Sequence, residues 1–334
     1  MRLIRGLHNL LALAGRDDSP LRNGCVATIG NFDGVHLGHQ TIIEQVREKA
    51  LALGLPSVVM IFEPQPREFF QGEDAPSRLM RFREKYEALR DCGVDLVVCL
   101  HFNSRLRQLS GNDFAEQVVC HGLTPRHLVV GDDFRFGYDR KGDFHLLQEV
   151  GRSAGFSVAH TRTISLDGDR VSSTRIRQCL TENALVSASR LLGRPYSITG
   201  TVIHGQALGR QIGVPTANIR LGPTRPPLSG VYVVAAEDEA GERHWGVANI
   251  GLRPTVNGRR PLLETHLFDF AGALYGQRLH VTFLHHLRDE VRFADIAALT
   301  RQIQADIETA RHWLAEHPDP LVAFAPTDTP TIPD

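Results

Sequence analysis

Gly30-Asn-Phe-Asp-Gly-Val-His-Leu-Gly-His-Gln40 is the stretch that decides the fold. It follows the short apolar run Cys25-Val-Ala-Thr-Ile29, which reads as a buried strand, and leads into Thr41-Ile-Ile-Glu-Gln-Val-Arg-Glu-Lys-Ala50, which reads as a helix. A strand, a Gly-rich turn and a helix N-terminus together make an anion site, because the N–H groups of the first helical turn have no partner within the helix and point outward. His36 and His39 stand three residues apart at that turn and can face one side. Two imidazoles over a phosphate-binding turn suit a nucleotide α-phosphate whose negative charge grows during transfer. Gly30, Gly34 and Gly38 remove side chains where a phosphate needs close backbone approach. Histidines at a helix start also serve as caps, and Asn31 and Asp33 also serve as plain turn formers. The eleven-residue context as a whole favours the phosphate reading.

Outward from this motif, the first half alternates apolar runs with helical patterns. The runs Val26–Ile29, Ser57–Phe62, Leu96–Leu100, His127–Val130 and Ser157–His160 read as strands; His39–Leu53, Arg81–Asp91, Asn112–Cys120 and Phe144–Ala154 read as helices. That alternation predicts an α/β domain with a doubly wound parallel sheet, and the Gly-rich turn follows its first strand, where such sheets bind nucleotides. Thr181–Leu192 reads as one linking helix stopped by Gly193 and Pro195. Beyond it, Ser197–Ile203, Gly230–Ala236, His244–Ile250, Pro261–Phe270 and Gln277–Leu284 predict a small antiparallel β-barrel. A C-terminal helix follows, with Ile296, Leu299, Ile303, Ile307, Ala310 and Leu314 forming one apolar stripe. From His317 the chain carries Pro318, Pro320, Pro326, Pro330 and Pro333 and reads as disordered. The expected domains are 1–182 and 183–316, with a tail at 317–334.

Composition bounds the partners. A length of 334 residues exceeds one ordinary core and predicts two domains. A formal net charge of −1 supplies no general positive field, so no nucleic acid partner is expected and phosphate binding must be local. Apolar runs such as Val58-Val-Met-Ile-Phe62 are far too short to span a bilayer, and Leu10-Leu-Ala-Leu-Ala14 before Arg16-Asp-Asp18 is a poor secretory signal. Five cysteines without a C-x-x-C predict reduced thiols in a cytoplasm and no structural zinc. No feature points to an oligomeric state.

Three further clusters stand in the first half. Arg170-Val-Ser-Ser-Thr-Arg-Ile-Arg177 offers helix-capping hydroxyls and three guanidinium groups suited to pyrophosphate, although a capped, solvated basic helix would read the same way. Val130-Gly-Asp-Asp-Phe-Arg-Phe-Gly137 lies at a strand's C-terminal end, where ligands bind; core packing accounts equally for one of Phe134 and Phe136. Phe62-Glu-Pro-Gln-Pro-Arg67 ends another strand in a stiff loop. In the second half Gly200, Gly205, Gly209 and Gly213 precede Val214-Pro-Thr-Ala-Asn218. Thr216 and Asn218 point the same way on an extended backbone and offer hard oxygen ligands suited to Mg²⁺. Gly246-Val-Ala-Asn-Ile-Gly-Leu-Arg-Pro-Thr255 is a second Gly/Asn loop. Glu264 stands in the apolar run Leu263–Phe270, where a carboxylate is costly unless functional or paired with Arg253, Arg259 or Arg260.

These clusters resemble the bacterial bifunctional riboflavin kinase/FAD synthetase (FMN adenylyltransferase) family over about residues 1–316. The family's G-N-F-D-G-V-H-x-G-H-Q matches Gly30–Gln40, its S-S-T-x-I-R matches Ser172–Arg177, and its G-x-D/N-F-x-F-G matches Gly131–Gly137. Its P-T-A-N matches Pro215–Asn218, E-x-H-x-F-D-F matches Glu264–Phe270, L-Y-G matches Leu274–Gly276 and R-x-E matches Arg288–Glu290. One position departs: Gln65 replaces the usual His of F-x-P-H-P and cannot carry its charge. The resemblance implies ATP as co-substrate, Mg²⁺, and riboflavin, FMN and FAD as substrates and products. It implies that His36 and His39 bind the triphosphate and stabilise the transferred adenylyl group, and that Glu264 is the general base for the riboflavin hydroxyl. Gly30, Asn31, Asp33, Gly34, Gly38, Arg170, Ser173, Thr174 and Arg177 are expected around the first ATP, and Gly205, Gly209, Gly213, Thr216 and Asn218 around the second, with Thr216 and Asn218 on the metal. Phe62, Asp133, Phe134 and Arg253 are expected to bind or orient flavin. The rival expectations are another H-x-G-H nucleotidyltransferase fused to an unrelated barrel, and a non-catalytic flavin-nucleotide sensor.

Overall fold

The computed structural model describes residues 1–131, 134–138, 140–161, 164–205, 209, 212–222, 225–255 and 258–324, the side chains of 252–260 excepted. Contacts divide the described residues into two units, one of Met1–Pro76 with Arg81–Val171, the other of Ser77–Met80 with residues 172–324.

The first unit is built on six parallel strands: β1 (Arg2–Arg5), β2 (Cys25–Ile29), β3 (Ser57–Glu63), β4 (Leu96–His101), β5 (Pro125–Val130) and β6 (Ser157–His160). Their order is β1-β4-β3-β2-β5-β6. The chain builds outward from β2 through β3 and β4, then returns to place β5 on β2's other side. The loop after β2 therefore leaves the sheet at the topological switch point, the usual binding crevice of such sheets. All five residues of β2 are buried, as befits a strand covered on both faces. On one face Ala27, Ile29, Met60, Val98 and Leu128 join the larger core. On the other, Val26 and Val129 pack with Val46 and Ala50 of the Leu37–Leu53 helix.

Strand β1 is not among the expected strands. Only Ile4 of its four residues is buried, and arginines stand at both ends, so it shows no apolar run; it pairs with β4 at the sheet's edge. The expected Asn112–Cys120 helix is present and longer: an α-helical turn at Gly111–Asp113 runs into a wide π-type helix over Phe114–Leu123. The single linking helix expected at Thr181–Leu192 is corrected to two, Ser173–Thr181 and Leu185–Leu192. Asn183 breaks them apart at φ +58. Its side-chain oxygen accepts the Tyr232 hydroxyl at 2.6 Å, which ties the break to the barrel wall.

The second unit holds a closed antiparallel barrel of β9 (Ser197–Ile203), β10 (Ala217–Arg220), β11 (Gly230–Glu237), β12 (Arg243–Thr255), β13 (Gly258–Leu267) and β14 (Arg278–Arg288). Strand β10 is not among the expected strands: it is only four residues long and follows Pro215, too short for an alternating pattern, yet it pairs with both β13 and β9 to close the barrel. The C-terminal helix spans Ile296–Glu316, capped by Asp295, whose Oδ1 accepts the Ala298 N–H at 2.7 Å. Its stripe needs two corrections: Ile296, in the first turn, is exposed, and Asp306 is buried within it. The segment after His317 also differs from expectation, because Val322–Phe324 forms a short turn with Phe324 buried. Pro326, Pro330 and Pro333 lie outside the described residues.

Candidate active sites

In the first unit the turn after β2 is strained and tightly held. Phe32, Gly34 and Val35 adopt φ of +47, +88 and +39. Only glycine visits that region freely, and each of the other two costs about 1–3 kcal/mol unless the surroundings enforce it. The surroundings do: Phe32 and Val35 are buried, the Gly30 N–H donates to the Met60 carbonyl at 3.0 Å, and Gln40 Nε2 donates to the Val35 carbonyl at 3.0 Å. His36 then caps the Leu37–Leu53 helix, its Nδ1 accepting the His39 N–H at 3.3 Å, which leaves Nε2 as that ring's donor. The His36 and His39 rings stack 3.6 Å apart at 18°, and Phe32 lies 5.0 Å from His39. Capping and pairing are thus one arrangement, and both imidazoles share a side. The glycines have local reasons: a Cβ at Gly30 would meet the Phe32 ring at 3.1 Å, and one at Gly38 would meet the His36 ring at 3.3 Å.

Of the other expected residues here, Asp33 is buried within the turn and Asn31 half-buried. Phe62 packs in the core, edge-on to Phe102, and Phe134 stacks on the buried Phe136. Gln65 is buried, its N–H donating to Glu68 at the start of the Pro66–Gln71 helix. Asp133 and the Arg253 side chain lie outside the described residues. Arg170 is exposed on β8 (Asp169–Arg170), which pairs with β7 (Ser165–Leu166). The Val171 carbonyl comes within 3.4 Å of where a Gly38 Cβ would stand. The next residue, Ser172, caps the Ser173–Thr181 helix by accepting the Arg175 N–H at 3.3 Å. On that helix Thr174 is exposed, Ser173 is half-buried, and Arg177 Nε donates to the Ser77 carbonyl at 2.6 Å.

In the second unit, strand register assembles the site. Asn218 of β10 stands opposite Glu264 of β13, which stands opposite Asn249 of β12, so three polar side chains form one rung on one face. Alternation along β13 supports this: Leu263, Thr265 and Leu267 are buried while Glu264 and His266 are half-buried. Asn218, Glu264 and Asn249 line a cavity of about 230 Å³ that Leu299, Ile303 and Asp306 of the C-terminal helix also line. Thr216 also lines it, with its carbonyl accepting from Asn218 Nδ2 at 3.2 Å, which leaves Asn218 Oδ1 for a cation. A Cβ at Gly205 would meet the Asn218 amide at 2.6 Å, and one at Gly209 would collide with the Val214 carbonyl. Gly213 takes φ +78. Two neutral oxygen donors beside a glycine cradle that side chains would fill fit Mg²⁺.

Asp306 and, in the first unit, Lys85 are functional candidates that the sequence does not single out, and Asn249 stands there only as part of the Gly246–Thr255 Gly/Asn stretch, which is strand and not loop. Asp306 receives Arg288 Nε at 2.9 Å, Arg288 NH2 at 2.8 Å and Gln302 Nε2 at 2.9 Å. This fork fastens the C-terminal helix beside the cavity. Its signal in the sequence is a lone acid between Ile303 and Ile307. Asp306→Ala should cost about 3–5 kcal/mol, since it strands a largely buried guanidinium, and should raise KM for the cavity's ligand. Denaturant unfolding with steady-state kinetics checks both; a loss under about 1 kcal/mol would show the pair to be solvated.

A doubly wound α/β unit with a stacked imidazole turn, followed by a closed barrel carrying an amide–carboxylate rung, fits the class of phosphate-transferring proteins. The FAD synthetase family model matches residues 18–175 and the riboflavin kinase family model residues 192–314. The bifunctional riboflavin kinase/FMN adenylyltransferase of Pseudomonas fluorescens is 53% identical over 93% of this chain and 97% of its own. That of Escherichia coli (strain K12) is 46% identical over 94% and 98%. The chain belongs to the bifunctional riboflavin kinase/FMN adenylyltransferase family. The crystal structure of a macrolide-efflux protein from Streptococcus pneumoniae superposes with TM-score 0.74 at 29% identity, covering 93% of this chain and 99% of that one. Among the described residues no helix is long and apolar enough to cross a membrane.

Proposed function

We propose how the two activities, riboflavin phosphorylation and FMN adenylylation, divide between the two sites. In the barrel, Glu264 accepts the proton of the riboflavin 5′-hydroxyl as that oxygen attacks the γ-phosphorus of ATP, and ADP leaves. Thr216 and Asn218 would hold Mg²⁺, whose charge offsets that of the ATP phosphates when bound. Gly205, Gly209 and Gly213 keep the phosphate path clear of side chains. In the first unit, an FMN phosphate oxygen attacks the α-phosphorus of a second ATP, the bond to the β-phosphate breaks and pyrophosphate leaves. The FMN phosphate is already ionised, so no general base is needed. His36 and His39 hold the triphosphate and stabilise the growing charge. Ser173, Thr174 and Arg177 grip the β- and γ-phosphates with Arg170 in support, and Phe62, Phe134, Asp133 and Arg253 serve the flavins. By these motifs the working domains are 1–182 and 183–316. None of the five cysteines forms a disulfide, which suits a cytoplasmic enzyme.

The observation that supports this reading is the rung Asn218–Glu264–Asn249, in which the strand register pairs the carboxylate position with an amide on either side. One incubation tests it: riboflavin, ATP and Mg²⁺ should give FMN and then FAD. Chelation with EDTA should stop FMN formation, and Thr216→Val should raise the Mg²⁺ concentration for half-maximal rate about tenfold, the scale of one lost charge-assisted ligand. An unchanged Mg²⁺ requirement would remove Thr216 from the metal.

A further inference from the structure

Lys85 lies on the Phe82–Asp91 helix and is fully buried, at 0% exposure. The chain has only three lysines, and the other two, Lys49 and Lys141, are exposed. Leu89, one turn on, is also fully buried, so packing alone asks for an apolar residue at position 85. An ammonium is costly to remove from water unless it is partnered. Lys85 Nζ donates to the Asn31 carbonyl at 2.7 Å. Asn31 opens the stretch in which Phe32, Gly34 and Val35 take positive φ. The Cys99 thiol of β4 feels the same ammonium: burial and then the Glu63 carboxylate push it up to about 11, while Arg5 and Lys85 pull it down.

We infer that Lys85 is a positioning residue for adenylyl transfer: its ammonium pins the Asn31 carbonyl, so that the Gly30–His36 turn keeps its left-handed path and presents His36 and His39 together to the triphosphate. The inference rests on the reading of Gly30–Gln40 as the ATP-handling turn. Without the pin, Phe32 and Val35 relax toward ordinary backbone and the rings shift. A displacement on the order of 1 Å is worth roughly 100-fold in rate.

Lys85→Met keeps the stem and removes the charge and the donor. It should lower kcat for FMN adenylylation about 10–100-fold, with KM for FMN little changed and riboflavin phosphorylation by the same chain intact. Adenylylation within twofold of wild type would overturn the inference. A measurement on the unaltered chain covers the case of a variant that does not fold. With ¹⁵N-labelled lysine, the Lys85 ammonium signal should shift on adding α,β-methylene-ATP, and an unmoved signal would overturn the inference as well. The two readings separate through His36→Ala with His39→Ala. Full FAD synthesis by that double variant would remove the turn itself from the reaction. Its loss there, alongside an unaffected Lys85→Met chain, would remove only Lys85.

Discussion

Glu264→Gln should slow riboflavin phosphorylation by about 10²–10⁴-fold, the usual worth of a positioned general base, and leave FAD formation from supplied FMN at the wild-type rate. Glutamine preserves shape and one acceptor oxygen, turns the other into a donor, and cannot take a proton. Asn218 and Asn249, its neighbours across the two adjoining strands, stay in place to hold the local geometry. Because the carboxylate is only half-buried on the face away from Leu263 and Thr265, the substitution leaves the barrel core untouched. Chromatographic separation of riboflavin, FMN and FAD reads both activities from one tube. Loss of both in a folded chain would mean that the two reactions share one centre.

His36→Ala combined with His39→Ala should give the mirror image: FMN accumulates, and FAD formation falls by roughly 10²–10³-fold or more, as for removal of preorganised charge stabilisation. His36 is also a helix cap, and alanine there costs about 0.5–2 kcal/mol in its own right. His36→Asn separates the two roles, since asparagine caps well but lacks the imidazole. If the chemistry lies in the ring, His36→Asn should remain stable and still lose most FAD synthesis. Wild-type FAD formation by the asparagine variant would reduce His36 to a cap.

Much of this architecture is legible in the sequence because the central strands are fully buried. Val58–Phe62 and Leu96–Leu100 are continuous apolar runs, and the turn after Cys25–Ile29 carries its glycines and histidines within eleven residues. What is hidden depends on contacts between distant segments. Arg2–Arg5 is a strand only because Leu96–His101 lies beside it. Asn249 joins Glu264 through pairing of β12 with β13, which no local pattern encodes. Lys85 reads as one more solvated cation in Arg81-Phe-Arg-Glu-Lys85, and only burial against the Asn31 carbonyl sets it apart. Asp306 is the intermediate case, conspicuous on an apolar stripe yet silent about Arg288 until the helix is docked.

Closure of the barrel has a consequence for how this protein can change. Every strand is flanked on both sides, β10 by β13 and β9, so none has slack to slide. Side-chain direction in such a strand follows parity: deleting a single residue ahead of Glu264 within β13 would turn the carboxylate inward and offer an aliphatic or hydroxyl group in its place. The Asp238–Glu242 hairpin, by contrast, lies at an exposed tip where length is nearly neutral. Indels should therefore accumulate at the tips of this half of the molecule while its staves keep a constant frame, and a designer wishing to move the carboxylate must do so in steps of two.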